Sequence, residues 1–304
     1  KIPNLVWDFS NRRPALYLCF SKGTVQSREP EFRVRSRHAA FFVYNRAMKK
    51  LPKLFKKWLR DSNEPPRVVY LVIMILSGIA FLNSLLIGDW FKISLAFAAI
   101  VLYQVPFIMI TFFKVFLPTV MEITYYIFIF AALILGEVFA FYGPFPFWDI
   151  FLHFLSGFMI AGVGISIAAN INKGSKSKLF TLLFAFCFSI TLGVMWECLE
   201  FGFDCTVRTD AQKDAHLHSI STITLQRDGG NQPVKIDNII KTDIILLDGE
   251  IVTIDEGFLD IGLMDTMKDI LVNTAGATVF CFFALLYLVN SKKYSFAHNF
   301  IPRK

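Results

Sequence analysis

Three features of this sequence predict an all-α polytopic membrane protein with six transmembrane helices and a small extracytoplasmic β-rich insertion between helices five and six. The 304-residue chain is 55% hydrophobic and only 18% charged, with 34 phenylalanines. A water-soluble domain of this length has no use for so much apolar surface. Several windows exceed the ~20 apolar residues that cross a hydrocarbon core. The basic residues fall in alternate loops, as the positive-inside rule requires of a multi-pass chain.

The six windows are Val68–Ile87, Phe91–Phe113, Ile123–Phe141, Ile150–Asn170, Leu179–Phe201 and Ile270–Asn290. Pro106 interrupts the second and should kink it, because proline lacks an amide donor and clashes with the preceding turn. Residues 1–67 hold 16 Lys/Arg and 5 Asp/Glu, a net of +11 against −4 for the rest of the chain. Such a tail before the first span suits the anionic cytoplasmic face of a membrane. Lys114, the loop Asn172–Lys178, and Lys292, Lys293, Arg303 and Lys304 then share that side. The expected topology is multi-pass with both termini cytoplasmic. Nucleic acid is not expected as a partner, because a span follows the basic tail at once. The first methionine is Met48, and Met48–Arg60 reads as a plausible beginning. Residues 1–47 are therefore expected to be read-through sequence or a disordered extension.

The domain plan that follows is a basic tail (1–67), helices one to five (68–204), a loop (205–262), helix six (263–290) and a second basic tail (291–304). Residues 203–262 carry 11 acids and 5 bases. Ser219–Gln226 alternates Ile and Leu with Ser and Thr, a strand signal. Asp243–Leu247 and Glu250–Ile254 flank Asp248-Gly249, a two-residue hairpin signal. A small β-meander outside the membrane is expected, as a lid, a partner surface or a spacer.

Ionisable groups cluster at one end of the spans. Asp149 and His153 are four apart at the start of the fourth, on one helix face. Glu197, Glu200 and Asp204 share a face at the end of the fifth. Asp265, Asp269 and Asn273 do the same at the start of the sixth, and Glu137 closes the third. Alternating spans bring all of these to the same side. Ionisable groups in a membrane are costly, so they mark a functional site by default. Carboxylates also complement helix N-termini, and for Asp149, Asp204 and Asp265 taken singly that plain role is the expected one. His153, Glu197 and Asp269 are deeper and flanked by apolar residues. Many oxygens with one imidazole suit a hard divalent ion such as Mg²⁺, Mn²⁺ or Ca²⁺ better than Zn²⁺. The expected ligands are His153, Glu197, Glu200, Asp269 and Asp265. His153, positioned by Asp149, is the expected ligand or general base. Trp148 and Trp196 read as interfacial anchors. Asp260 reads as solvated, and His216 and His218 as exposed filler. The five cysteines show no CxxC pair and no disulfide framework. No nucleotide loop, heme motif or GxSxG is present.

Glu137 with Tyr142, Trp148–Gly157, Trp196–Phe201 with Asp204, and Asp265–Ala277 resemble, in that order, the signature of the bacterial YjdF-type inner-membrane family. The resemblance covers residues 68–290 and implies no particular activity. The Asp/His/Gly and late Asp/Asn/Gly pattern is also similar to VanZ-like membrane proteins, linked to lipoglycopeptide tolerance. The arginine expected in the middle motif of that group is missing here. Three functions fit the residues. The first is binding, with or without modification, of a lipid-linked or cell-envelope molecule at the outer leaflet, aided by the cation. The second is proton or cation transport, which lacks charged stepping stones toward the cytoplasmic half. The third is a non-catalytic scaffold. Membrane lipids are the expected surroundings.

Overall fold

Consecutive apolar helices run back and forth, so polar motifs far apart in sequence return to a common end. In the computed structural model the described residues are 55, 58, 65–113, 117–171, 177–226, 229–294 and 300. They fall in one compact unit, Phe55–Lys304. The expected read-through or disordered extension, residues 1–47, lies outside the described residues, as does most of the basic loop 172–178.

Helix α1 spans Pro65–Ile87 and α2 spans Trp90–Leu102. The chain breaks at Tyr103-Gln104 and resumes as α3, Val105–Ile108, which runs into a π-helical turn, Met109–Phe113. The kink expected at Pro106 is thus a break just before it, which relieves the clash with the preceding turn. Helix α4, Thr119–Ile129, continues as a π-helical stretch, Phe130–Val138. Helices α5 (Trp148–Ile171), α6 (Lys178–Val207) and α7 (Leu263–Val289) complete the set. Among the described residues, six helical stretches are long and apolar enough to cross a membrane. Their outward faces carry exposed Leu71, Ile75, Leu82, Phe97, Leu183, Leu199, Leu271 and Phe282, a belt that lipid would cover. Two helices outrun the apolar windows. Helix α6 continues to Val207, and α7 begins seven residues before Ile270, at Leu263. Both extensions lie at the site end, where polar neighbours satisfy the helix.

Helices α5, α6 and α7 pack on small residues. A Cβ at Gly157 would overlap the Asn273 carbonyl, and one at Gly276 would overlap the Phe154 carbonyl. The two backbones are therefore in contact, as small residues permit in membrane helices. Below this crossing lies a core of Ala161, Ile165, Ala185, Ala277, Phe280 and Ala284. In the other half, α1, α2 and α4 enclose buried Tyr70, Tyr103 and Tyr126. Ser77 and Tyr103 hydroxyls meet at 2.9 Å, and Gln104 donates to Tyr70 at 3.0 Å. Arg67 was grouped with the basic tail by charge. It is instead buried in α1, paired with Glu122 of α4 and stacked on Trp58 at 3.7 Å.

The insertion is β-rich but is no meander. Strands β1 (Ala215–Leu217), β2 (Ile220–Thr222), β3 (Val234–Ile236), β4 (Thr242–Ile245), β5 (Ile251–Ile254) and β6 (Phe258–Asp260) form three separate antiparallel pairs. The pairs are β1 with β6, β2 with β3 and β4 with β5. The outermost pair, Ala215↔Asp260 to Leu217↔Phe258, closes the base of the insertion. The run Ser219–Gln226 yields only β2, because Ile223–Gln226 turns back on itself. At the β4–β5 tip Gly249 donates to the Leu246 carbonyl at 3.0 Å with φ +87°. This is a three-residue loop with a left-handed glycine, not the two-residue turn expected. Asp260 is buried, not solvated. Its carboxylate caps α7 by accepting from the Leu263 and Met264 amides at 3.2 and 2.7 Å.

Candidate functional site

The site is a stack of layers, each one helical turn apart, because three motifs share a spacing near four residues. Helices α5 and α7 run parallel and touch at Gly157 and Asn273. One turn back on each, about 6 Å by helical rise, are His153 and Asp269. One more turn back are Asp149 and Asp265. Helix α6 runs the other way. Its Gly193 packs against the Asn273 amide, so Glu197 and Glu200 follow toward the same end.

The innermost layer is fully paired. Asn273 Oδ1 accepts from Ser156 at 3.2 Å, and its amide donates to the Ser189 carbonyl at 3.4 Å. Ser189 donates to the Gly157 carbonyl at 2.8 Å. Asn273 thus locks three helices and does not join the acids.

The middle layer centres on the imidazole. His153 Nε2 is 3.5 Å from Asp149 Oδ1 and 3.6 Å from Asp269 Oδ2, while Nδ1 is 3.7 Å from Glu197 Oε1. These separations are long for hydrogen bonds. One donor atom each from Asp149, His153 and Asp269 lie within 4.8 Å of one another. Asp269 is 2% exposed, yet its Oδ1 has no hydrogen-bond partner among the described residues, and neither does Asp149 Oδ2. Buried carboxylate oxygens are normally satisfied. Lys268 Nζ stands 4.0 Å from Asp269 Oδ1, beyond hydrogen-bond range, and Asp149, His153 and Asp269 could hold a metal ion.

The remaining predicted residues spread outward. Glu200 accepts from Trp196 Nε1 at 2.8 Å, so this tryptophan holds an acid as well as facing outward. Asp265 accepts from Lys268 Nζ at 3.0 Å and from the Lys213 amide at 3.1 Å. Asp204 turns away from the cluster altogether. It accepts from Thr209 Oγ1 and the Ala211 amide at 2.7 Å and from the Gln212 amide at 2.9 Å. Helix α6 ends with Arg208 at φ +61°, which bends the chain back so that those donors face Asp204. His216 and His218 bond the Glu256 and Ile239 carbonyls and lie in the insertion.

Beside the cluster opens a cavity of about 230 Å³. Glu137, Tyr142, Asp149, His153, Trp196, Glu200 and Lys213 line its polar part. Ser156 and mostly apolar residues, among them Phe128, Ile129, Leu133, Leu152, Ile160 and Leu192, line the rest. From Asp149 to Ile160 the wall descends roughly 16 Å along α5. Glu137 is delivered by the π-helical end of α4, a geometry frequent at functional sites. Two carbonyls of that stretch are taken by the α4–α5 corner: Ala131 accepts from Trp148 at 3.2 Å and Ala132 from Tyr142 at 3.5 Å. Burial first, then Glu137 and Asp149, push the Tyr142 phenol well above its ordinary pKa, so it stays neutral.

Lys213 is the site residue that sequence reasoning missed. Its ammonium sits 3.9 Å from Asp149 Oδ1 and 4.0 Å from the centre of the Tyr142 ring. It lies in a loop without periodicity. Its one signal was a base just after the acidic end of the fifth span.

The chain matches a family of predicted membrane proteins (DUF2238) over residues 66–290, and it belongs to that family. No curated protein and no solved structure matches it.

Proposed function

We propose that this membrane protein binds an amphiphilic, lipid-linked or cell-envelope molecule through a divalent cation held by Asp149, His153 and Asp269. One observation carries the reading: donor atoms of three residues lie within 4.8 Å, both carboxylates keep an oxygen without a hydrogen bond, and Asp149 and His153 line a cavity that is polar at Asp149 and largely apolar toward Ile160. Two carboxylates with one imidazole suit Mn²⁺ or Mg²⁺. Such an ion would polarise a phosphoryl or carbonyl oxygen of the ligand. Glu197 faces the far nitrogen of His153. We assign it to orienting the ring, as carboxylates behind metal-bound histidines commonly do. Glu200 and Asp265 form the rim, and Asp204 anchors the following segment. We take this end to lie on the outer side of a bacterial inner membrane, a reading supported by the basic loops at the opposite ends of the spans, and the VanZ-like pattern accords with an envelope ligand.

Binding fits better than passage, because the cavity floor of Phe128, Ile129, Leu133 and Leu192 offers no proton or ion relay. A pure scaffold would gain by giving its buried carboxylate oxygens hydrogen bonds, which two of these lack. The test is lipid analysis of the purified protein. Wild type should retain an amphiphile in Mn²⁺ and release it in EDTA, and His153→Ala should retain none. Retention that ignores both metal and His153 would refute the reading.

A further inference from the structure

We propose that Lys213 reads the ligand's headgroup, and that this headgroup is a phosphate bearing hydroxyl or amino substituents. The inference rests on the amphiphile reading and narrows its substrate class.

The segment carrying Lys213 is fixed against the helix ends. Arg208 turns the chain, Asp204 takes three of its donors, and Asp265 takes the Lys213 amide at 3.1 Å. Gln212 adds a short bond to Thr266 of α7. Backbone this heavily bonded positions a side chain; it does not trail past one. Yet the ammonium it delivers is poorly engaged. Its nearest carboxylate oxygen is at 3.9 Å, beyond hydrogen-bond range, and its other partner is the face of a neutral phenol. The side chain is 40% exposed and lines the cavity. A lysine tethered by its backbone with its donors unspent is suited to an incoming anion.

Chemistry selects phosphate. A lysine is a compact point charge with three donors on a flexible stem and binds phosphate as such. A cation on Asp149 and Asp269 would satisfy Asp149 and leave Lys213 free. Ion and ammonium would then flank one anionic group at the cavity mouth. Glu137 and Glu200 share that cavity and would repel a bare phosphate. They can instead accept from hydroxyl or amino groups beyond it. Below, the apolar wall takes a hydrocarbon chain.

The experiment titrates purified protein in maltoside micelles with short-chain phosphatidylglycerol, phosphatidylcholine or diacylglycerol, read by native mass spectrometry, with and without Mn²⁺. Wild type should prefer phosphatidylglycerol, which has phosphate and hydroxyls. Lys213→Met should weaken phosphatidylglycerol about tenfold, the worth of a charge-assisted hydrogen bond, without weakening diacylglycerol or Mn²⁺ binding. Lys213→Arg should retain most of the preference. Equal phosphatidylglycerol binding by wild type and Lys213→Met would overturn the proposal. A Lys213 effect without any Mn²⁺ binding would uphold it while refuting the cation. Competition by inorganic phosphate separates a soluble phosphate from a lipid headgroup as the source of the same chemistry.

Discussion

The two halves of the helix bundle treat buried charge in opposite ways. Between α1 and α4, Arg67 and Glu122 are buried together, and Glu122 also accepts from Tyr126 at 2.9 Å. Every charge there has a partner of opposite sign. At the other end of the bundle, α5, α6 and α7 gather Asp149, Glu197, Glu200, Asp265 and Asp269 around one histidine, and two carboxylate oxygens have no hydrogen bond among the described residues, Lys268 standing 4.0 Å from one of them. Burial alone does not make a candidate site; buried carboxylate oxygens without hydrogen bonds are the stronger sign, because leaving a carboxylate unsatisfied costs a fold more than it gains.

That contrast can be broken by mutation. Arg67→Met strands Glu122 in the bundle and should destabilise the protein by about 3–5 kcal/mol. The double variant Arg67→Met/Glu122→Leu should recover most of the loss, because an apolar pair can replace a buried ion pair. Thermal unfolding in micelles measures both. Asp269→Asn should do the reverse. Without metal its unfolding midpoint should match or exceed wild type, since the change removes a crowded charge and adds donors facing Asp149, worth about 1 kcal/mol. A loss as large as that of Arg67→Met would show that Asp269 is structural.

The layered register can be tested separately. Gly157→Ala inserts a methyl where the Asn273 carbonyl lies and should cost about 1–3 kcal/mol. Gly78→Ala in α1, with no heavy atom within 4 Å of its added Cβ, should cost nothing measurable. Similar losses from both would mean that α5 and α7 do not touch as described. The smallest expected effect lies in the insertion. Hydrogen bonds from Thr253 and then Lys241 hold the Asp243 carboxyl below its ordinary pKa. A lowered folded value means this support is present above the unfolded pKa and is lost as pH falls through the folded one. Protection factors of the β4–β5 amides, taken relative to the intrinsic exchange rate at each pH, should therefore fall in acid, and in Asp243→Asn they should already be low at neutral pH.

The six spans were legible because twenty apolar residues in a row have few other uses. The common end of the acids was legible because helices reverse and the motifs repeat near every fourth residue. Spacing did not show where each side chain turns. Asp204 shares a helical face with Glu197 and Glu200, but the reversal at Arg208 supplies amide donors that draw it outward. Arg67 was counted as tail charge because its partner is 55 residues away. Lys213 stayed hidden because a loop has no period, and its position depends on bonds to α6 and α7. Strand-forming runs were visible in the insertion. The pairing of β1 with β6, which encloses the others, was not, because alternation names strands and not partners.

Manganese binding to protein stripped with chelator, followed by the loss of the free-ion EPR signal, is the most direct test of the layer around His153. Wild type should take up one ion per chain, and His153→Ala and Asp269→Asn should each bind at least tenfold more weakly, the scale of losing a ligand or its support. No uptake by wild type, or equal uptake by all three proteins, would contradict the site as described.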